Sequence, residues 1–161
     1  MKLRFLVFIL VLLNLNSCGS IAKSHAKQEF TEEFKAIPPS FGEKNTVLLI
    51  TLRSRESYDK YLKKYANIFK GDKVFIGIGE EQLDEFKDKF KYRFVFDYAN
   101  GSSSSIRYSD GLGSSVTAKR FFIKDRVEDK EYQCGYETSY YAKALEAYFE
   151  NLEIKRLTKQ N

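Results

Sequence analysis

The side chains best suited to chemistry are few in this chain of 161 residues. It contains two cysteines, Cys18 and Cys134, and one histidine, His25. Catalysis by Ser-His-Asp or Cys-His groups needs an imidazole held beside a nucleophile. Zinc sites built from Cys and His need several such ligands. Because His25 lies in a segment that we predict to be a flexible tether, we expect neither kind of site, no metal and no cofactor.

Two acidic pairs, Glu80-Glu81 and Glu128-Asp129, have the groups needed for general acid–base catalysis. They lie at a predicted helix start and in a predicted turn, where solvated acids are common. The two short Gly-x-Gly segments lack the other residues of a phosphate-binding loop. The sequence leaves enzymatic activity open but offers no catalytic residue for it.

Four charged residues, Arg53, Arg55, Glu56 and Asp59, follow the first predicted strand. Open α/β sheets bind ligands beyond the carboxyl ends of their strands. These residues are therefore our candidate docking patch for a protein or peptide. The alternative is an ordinary salt-bridged surface at the start of a helix.

The N-terminus has the pattern of a signal peptide over residues 1–17. Lys2 and Arg4 form a basic start, and residues 5–13 are uninterrupted apolar sequence. This run is shorter than the roughly 20 apolar residues that a membrane-spanning helix needs. The alternative is a buried N-terminal helix.

The segment Leu15-Asn16-Ser17-Cys18 resembles the lipobox of bacterial lipoproteins, although an asparagine is less usual at its middle position. The resemblance implies that the thiol of Cys18 carries a diacylglyceryl group and that Cys18 becomes the mature N-terminus. Two or more acyl chains hold a protein stably on a membrane. In such lipoproteins a non-acidic Gly19 favours the outer membrane, and we expect the domain to face the periplasm. The alternative is ordinary signal-peptide cleavage, with Cys18 free or disulfide-bonded to Cys134.

Residues 18–45 are mostly polar, lack a clean period and contain Pro38-Pro39. We predict that they form a lipidated tether between the membrane and the domain. Loss of Lys2 and Arg4 lowers the formal net charge from +5 to about +3. The remaining Lys and Arg residues are interleaved with acids, so we expect no nucleic-acid partner.

Hydrophobic periodicity predicts one domain over residues 46–152 and a polar, frayed tail over residues 153–161. Short apolar runs predict buried strands, and stripes at i, i+3, i+4 and i+7 predict helices. Strands are predicted at 46–51, 73–79, 92–98, 119–123 and 131–135, helices at 58–69, 83–90 and 141–152, and a Ser/Gly-rich loop at 100–115. The order is β-α-β-α-β-β-β-α, which favours an α/β fold with a central mixed sheet.

This order resembles the thioredoxin fold, and most of all the membrane-tethered thioredoxin-like proteins of the bacterial envelope that assist cytochrome maturation. "TVLLITLRSRESYDKYLKKY" resembles that family's first strand and active-site helix, and "TAKRFFIKDRVEDKEYQCGY" resembles its late hairpin. The resemblance implies a three-layer sandwich. It also implies that peptides dock near the end of the first strand.

The chain differs from that family at the positions of its active-site cysteines and its cis-proline. Active members carry Cys-x-x-Cys at the start of the first helix, where this chain has Glu56-Ser57-Tyr58-Asp59. Carboxylates cannot replace the attacking thiolate. The family's cis-proline position corresponds to residues 116–118, which contain no proline. We therefore predict a redox-inactive domain that binds a protein or peptide partner.

Two further functions stay open. Cys134 is either a packing residue, as most buried cysteines are, or a lone reactive thiol that forms a mixed disulfide with a partner. If the thiol is reactive, the protein is a membrane-tethered single-thiol redox protein. The other open function is that of an immunity or adaptor lipoprotein. The sequence does not distinguish their partners.

Overall fold

The computed structural model describes residues 17–107 and 113–160. Residues 1–16 of the predicted signal peptide lie outside the described residues. The helices are α1 (Ser17–Glu29), α2 (Glu56–Ala66) and α3 (Tyr141–Gln160). The strands are β1 (Leu48–Thr51), β2 (Lys73–Ile76), β3 (Phe94–Arg107), β4 (Gly113–Asp125) and β5 (Lys130–Tyr132).

The five strands form one mixed sheet in the order β2-β1-β3-β4-β5. β1 pairs in parallel with both neighbours, so that Ile50 lies between Phe75 and Phe96. β4 pairs antiparallel with β3 and β5. The prediction of an α/β protein with a central mixed sheet is confirmed.

All three helices pack on one face of the sheet. Alternation along β1 and β3 sends Leu48, Ile50 and Phe96 to that face and Leu49 and Val95 to the other. The helix-covered face holds the larger core, which is rich in fully buried aromatic rings. The opposite face has only a small apolar cluster. Phe86, from the connection between β2 and β3, belongs to this cluster, and no α-helix of residues 17–107 and 113–160 contributes to it.

The predicted helix over residues 83–90 is wrong. Two short 3-10 turns, Glu80–Gln82 and Asp84–Phe86, occupy this connection. The buried guanidinium of Arg126 donates hydrogen bonds to the backbone carbonyls of Glu81, Phe86 and Tyr92 at 2.7–2.8 Å. These hydrogen bonds occupy carbonyl oxygens within and beside the turns. The side chain of Phe90, which the predicted helix would have packed against the core, is 76% exposed. The long-range contact thus overrides the local helical pattern.

The predicted tether over residues 18–45 is also wrong. Residues 17–29 form α1, and the segment after it places Phe30, Ile37 and Phe41 in the main core. The hydroxyl of Tyr148 donates a hydrogen bond to the carbonyl of Ala36, and Asn151 donates to that of Phe30 at 2.7 Å. The core positions follow no helical or strand period because the chain turns repeatedly there. The packed unit therefore begins with α1 and not at residue 46.

The predicted frayed tail over residues 153–161 is wrong for residues 153–160, which continue α3. Arg156 donates to the Glu153 carboxylate at 2.9 and 2.6 Å, and Lys155 pairs with Glu32. These ion pairs stabilise a polar segment that the apolar pattern did not identify. Asn161 lies outside the described residues.

β3 and β4 extend into a long two-stranded ribbon where the sequence predicted a loop over residues 100–115. Pairing continues from Ser103 opposite Thr117 to Arg107 opposite Gly113, after a bulge between Asn100 and Ser103. We call residues 101–107 and 113–118 the serine ribbon. Cross-strand pairing maintains the strands despite the Ser/Gly-rich composition. Residues 108–112 lie outside the described part.

Candidate docking site at the carboxyl end of the parallel strands

The carboxyl ends of the parallel strands bring the predicted patch together with residues of β3. β1 ends at Thr51 and the chain passes through Arg53 and Arg55 into α2, while neighbouring β3 continues through Asp97. The ring of Tyr98 on β3 lies 5.2 Å from that of Tyr141, the first residue of α3. One end of the domain therefore carries the predicted patch and the first turns of two helices.

Arg53 is held firmly in this site. Its Nε donates to Asp97 Oδ1 at 2.9 Å and its Nη2 to Oδ2 at 2.8 Å. The guanidinium also lies 5.2 Å from the centre of the Tyr98 ring. The hydrogen bond to Asp97 raises the pKa of Arg53. This two-point pairing fixes the direction of the guanidinium.

Asp59 organises the turn that carries the two arginines. Its carboxylate accepts hydrogen bonds from the backbone N–H groups of Arg53 at 3.2 Å and Arg55 at 3.0 Å. Between them Ser54 adopts a left-handed conformation with a φ of 55°. Asp59 is therefore a positioning residue for the turn. Glu56, in the first turn of α2, is exposed.

Arg55 is the free cation of the patch. Its side chain is exposed, and among the described residues it has no ion pair or side-chain hydrogen bond. It lines a polar pocket of about 240 Å³ that we call the arginine pocket. The pocket is lined by Arg53, Arg55, Ile78, Tyr98, Ala99 and Asn100.

Lys119 belongs to this site but was not predicted from the sequence, and neither were Asp97, Tyr98 and Asn100. It is only 3% exposed, and its Nζ donates to Asn100 Oδ1 at 2.5 Å. The Nζ lies 5.1 Å from the centre of the Tyr58 ring, and no carboxylate of the described residues pairs with it. Burial lowers the pKa of Lys119, and the charges of Arg55 and Arg53 lower it further. Residues 119–123 are predicted as a strand, and no local signal in that strand marks the burial of this lysine.

A second cavity, which we call the tyrosine groove, lies between the first turns of α2 and α3. It measures about 390 Å³ and is mainly apolar. Tyr61 and Tyr140 are 43% and 49% exposed. The groove is lined by Ser57, Tyr58, Tyr61, Ser139, Tyr140, Tyr141, Ala142 and Lys143.

Beneath the groove, Tyr98 and Tyr141 bring two hydroxyl groups into the interior. The hydroxyls interact electrostatically, but neither makes a hydrogen bond of standard geometry. Burial raises the pKa of both phenols. They therefore remain neutral at physiological pH.

Cys134 is buried away from solvent. It follows β5, is 4% exposed and is a free thiol that packs in the main core. Burial raises the pKa of this thiol. A protonated, buried thiol is a poor nucleophile. This environment matches the packing role.

His25 does not lie in a flexible segment, because it belongs to α1. Its ring packs edge-on against Tyr136 at 4.9 Å, and its Nε2 lies 3.8 Å from Glu29 Oε1. Residues 17–107 and 113–160 contain no cluster of three or more His, Cys, Asp or Glu residues that could hold a metal ion. Within the same ranges, no helix combines the length and apolar character needed to cross a bilayer.

Comparison with known proteins does not assign the chain to a family. It matches no protein-family model, and no curated protein or solved structure is significantly similar to it. The site must therefore be interpreted from its own geometry.

Proposed function

We propose that this is a lipid-anchored protein of the bacterial envelope whose domain binds a protein or peptide partner at the arginine pocket. The observation that carries the proposal is the unpaired guanidinium of Arg55. It lies beside the fixed Arg53 and close to the buried charge of Lys119. Arg53 is paired with Asp97, but Arg55 and Lys119 have no carboxylate partner among the described residues. Cations held without counterions favour an anionic ligand group. The partner therefore docks through a carboxylate-bearing segment.

We further propose that the domain is a degenerate, redox-inactive relative of the thioredoxin-like proteins. The β1-α2-β2 unit and the late hairpin support this relationship. The 3-10 turns in place of a second crossover helix are a departure from it. Glu56-Ser57-Tyr58-Asp59 forms the first turn of α2, where the resemblance would place the exchanging cysteines. The partner is therefore bound without thiol–disulfide exchange.

Membrane attachment through Cys18 is the second part of the proposal. Its support is the lipobox resemblance together with the basic and apolar residues before it. We place the protein on the outer membrane, facing the periplasm. Replacing Cys18 with Ala is expected to move the protein from the membrane fraction to the soluble fraction. Unchanged membrane association would contradict lipid attachment.

Charge reversal tests the docking site. The full chain is purified in detergent from membranes, without reductant, as wild type, Arg55→Glu and Lys89→Glu. Lys89 is an exposed cation in the connection that precedes β3, so it serves as the matched control. We expect one partner to be captured by the wild type and Lys89→Glu but lost with Arg55→Glu. Equal capture by all three proteins would place docking elsewhere.

A Cys134→Ser variant in the same experiment tests the single-thiol alternative. Docking at the arginine pocket predicts undiminished capture by this variant, because Cys134 is buried. Loss of the partner only with Cys134→Ser would favour a mixed disulfide. An immunity or adaptor protein would dock in the same way, with a toxin or a secretion component as its partner. The identity of the captured protein would show this role.

A further inference from the structure

The docking end of the domain is also the end nearest the expected membrane anchor. α1 runs parallel to α3, because Gly19 approaches Lys143 while Lys23 and Lys27 reach further along α3. An added Cβ on Gly19 would lie 3.7 Å from Lys143 Cε. Lys23 pairs with Glu146 and Glu150 at 2.8 and 2.6 Å, and Lys27 pairs with Glu150 at 2.9 Å. The first turns of α1 and α3 therefore lie side by side.

The apolar sequence of the N-terminus joins the domain at this point. Residues 5–13 and Cys18 directly precede the packed part of α1, so lipid on Cys18 or a retained apolar run would attach the same end. A flexible tether over residues 18–45 would have had a root-mean-square reach of about 30 Å. Because α1 packs against α3, the anchor cannot move over this distance relative to the domain. The anchor therefore stays within a few residues of Lys143, which lines the tyrosine groove.

The exposed surface at this end suits a phospholipid interface. Tyr61 and Tyr140 present half-exposed aromatic rings, and the partly exposed Lys143 beside them pairs with Glu146 at 3.1 Å. Tyrosine is enriched at membrane interfaces because its ring is amphipathic. The first turns of α1 and α3 lie at this end and carry no acidic side chain, so their partial positive charges favour anionic headgroups. The first turn of α2 also lies at this end, but it carries Glu56 and Asp59.

The serine ribbon leaves the sheet at the same end. Ile106 and Val116 are exposed and lie on one face of the ribbon, since their cross-strand partners are Ser114 and Ser104. The bulge between Asn100 and Ser103 bends the strand that carries it. These two apolar side chains therefore lie at the end of the domain that carries the proposed anchor.

We propose that the tyrosine groove rests on the phospholipid headgroups of the membrane that holds the anchor. This inference depends on the proposed membrane attachment, and it makes the arginine pocket a site that captures its partner at the bilayer surface. The partner is therefore a protein that presents its acidic segment close to the membrane.

Tryptophan reporters test the orientation, because the natural sequence contains no tryptophan. Full-length protein is extracted from membranes as Tyr140→Trp or Phe90→Trp and reconstituted into phosphatidylethanolamine–phosphatidylglycerol vesicles that contain brominated lipid. Both positions are exposed, so folding is preserved. Phe90 precedes β3 and lies toward the amino end of the parallel strands, opposite the groove.

We expect brominated lipid to quench the Tyr140→Trp variant strongly and to leave the Phe90→Trp variant unquenched. Vesicle-bound protein with both variants unquenched, or with only Phe90→Trp quenched, would overturn the membrane-facing groove while leaving the anchor intact. Protein that fails to associate with vesicles would overturn the anchor and, with it, this orientation. The two failures are distinguished by flotation of the vesicles before fluorescence is measured.

Discussion

The structure places Phe30 in the core although the sequence assigns it to a tether, and this difference is measurable. The side chain is fully buried, and its ring lies 4.6 Å from that of Tyr148, 5.4 Å from that of Tyr136 and 5.6 Å from that of Phe121. Replacing it with Ala removes these contacts and leaves a cavity. Such substitutions cost about 3–5 kcal/mol of the free energy of unfolding.

A loss of that size is large for a single domain. Domains of this length are stable by about 5–15 kcal/mol, and each kcal/mol corresponds to about 2–4 °C in Tm. We therefore expect Phe30→Ala to lower Tm by roughly 6–20 °C. The control is Phe34→Ala in the same segment, because Phe34 is 49% exposed. Its substitution is expected to change stability by only about 0.5 kcal/mol.

The assay is urea unfolding, followed by circular dichroism, of the soluble protein that starts at Gly19. A loss below about 1 kcal/mol with Phe30→Ala, similar to that with Phe34→Ala, would refute the packed arrangement. Residues 18–45 would then be a tether after all. The fixed distance between Cys18 and the tyrosine groove would no longer follow.

Three further predictions concern titratable groups. Burial alone would raise the pKa of Asp125, but hydrogen bonds from Arg93 and the backbone lower this pKa below 3.8. The free energy of unfolding should therefore fall as pH drops below about 4. Urea titrations of Asp125→Asn should show a smaller pH dependence of this free energy than those of the wild type. Burial lowers the pKa of Lys119 in the folded protein, so the free energy of unfolding of the wild type should increase as pH rises towards 10.5. The same increase in Lys119→Met would contradict burial of this charge. The thiol of Cys134 should react with iodoacetamide far more slowly in the native protein than in urea, and comparable rates by mass spectrometry would indicate an accessible thiol.

Part of the candidate site was predictable because its signals are local. The apolar run of β1 marks a buried strand, and the residues just after such a strand lie at the ligand-binding end of a parallel sheet. Arg53, Arg55 and Asp59 were identified in this way, and the structure brings all three together. Their different roles were not predictable, because Asp97, which fixes Arg53, is 44 residues away in the sequence.

The sequence by itself determined the α/β class, the order of most strands, the lack of a Cys-x-x-Cys pair and the presence of only one histidine. These features depend on local periodicity and on residue identity. The tertiary structure alone decided that Phe30 packs in the core, that Arg126 replaces a helix with 3-10 turns and that Lys119 is buried. Each of these depends on contacts between residues far apart in the chain. Their energies come from burial and hydrogen bonding in the folded state, which no local pattern records.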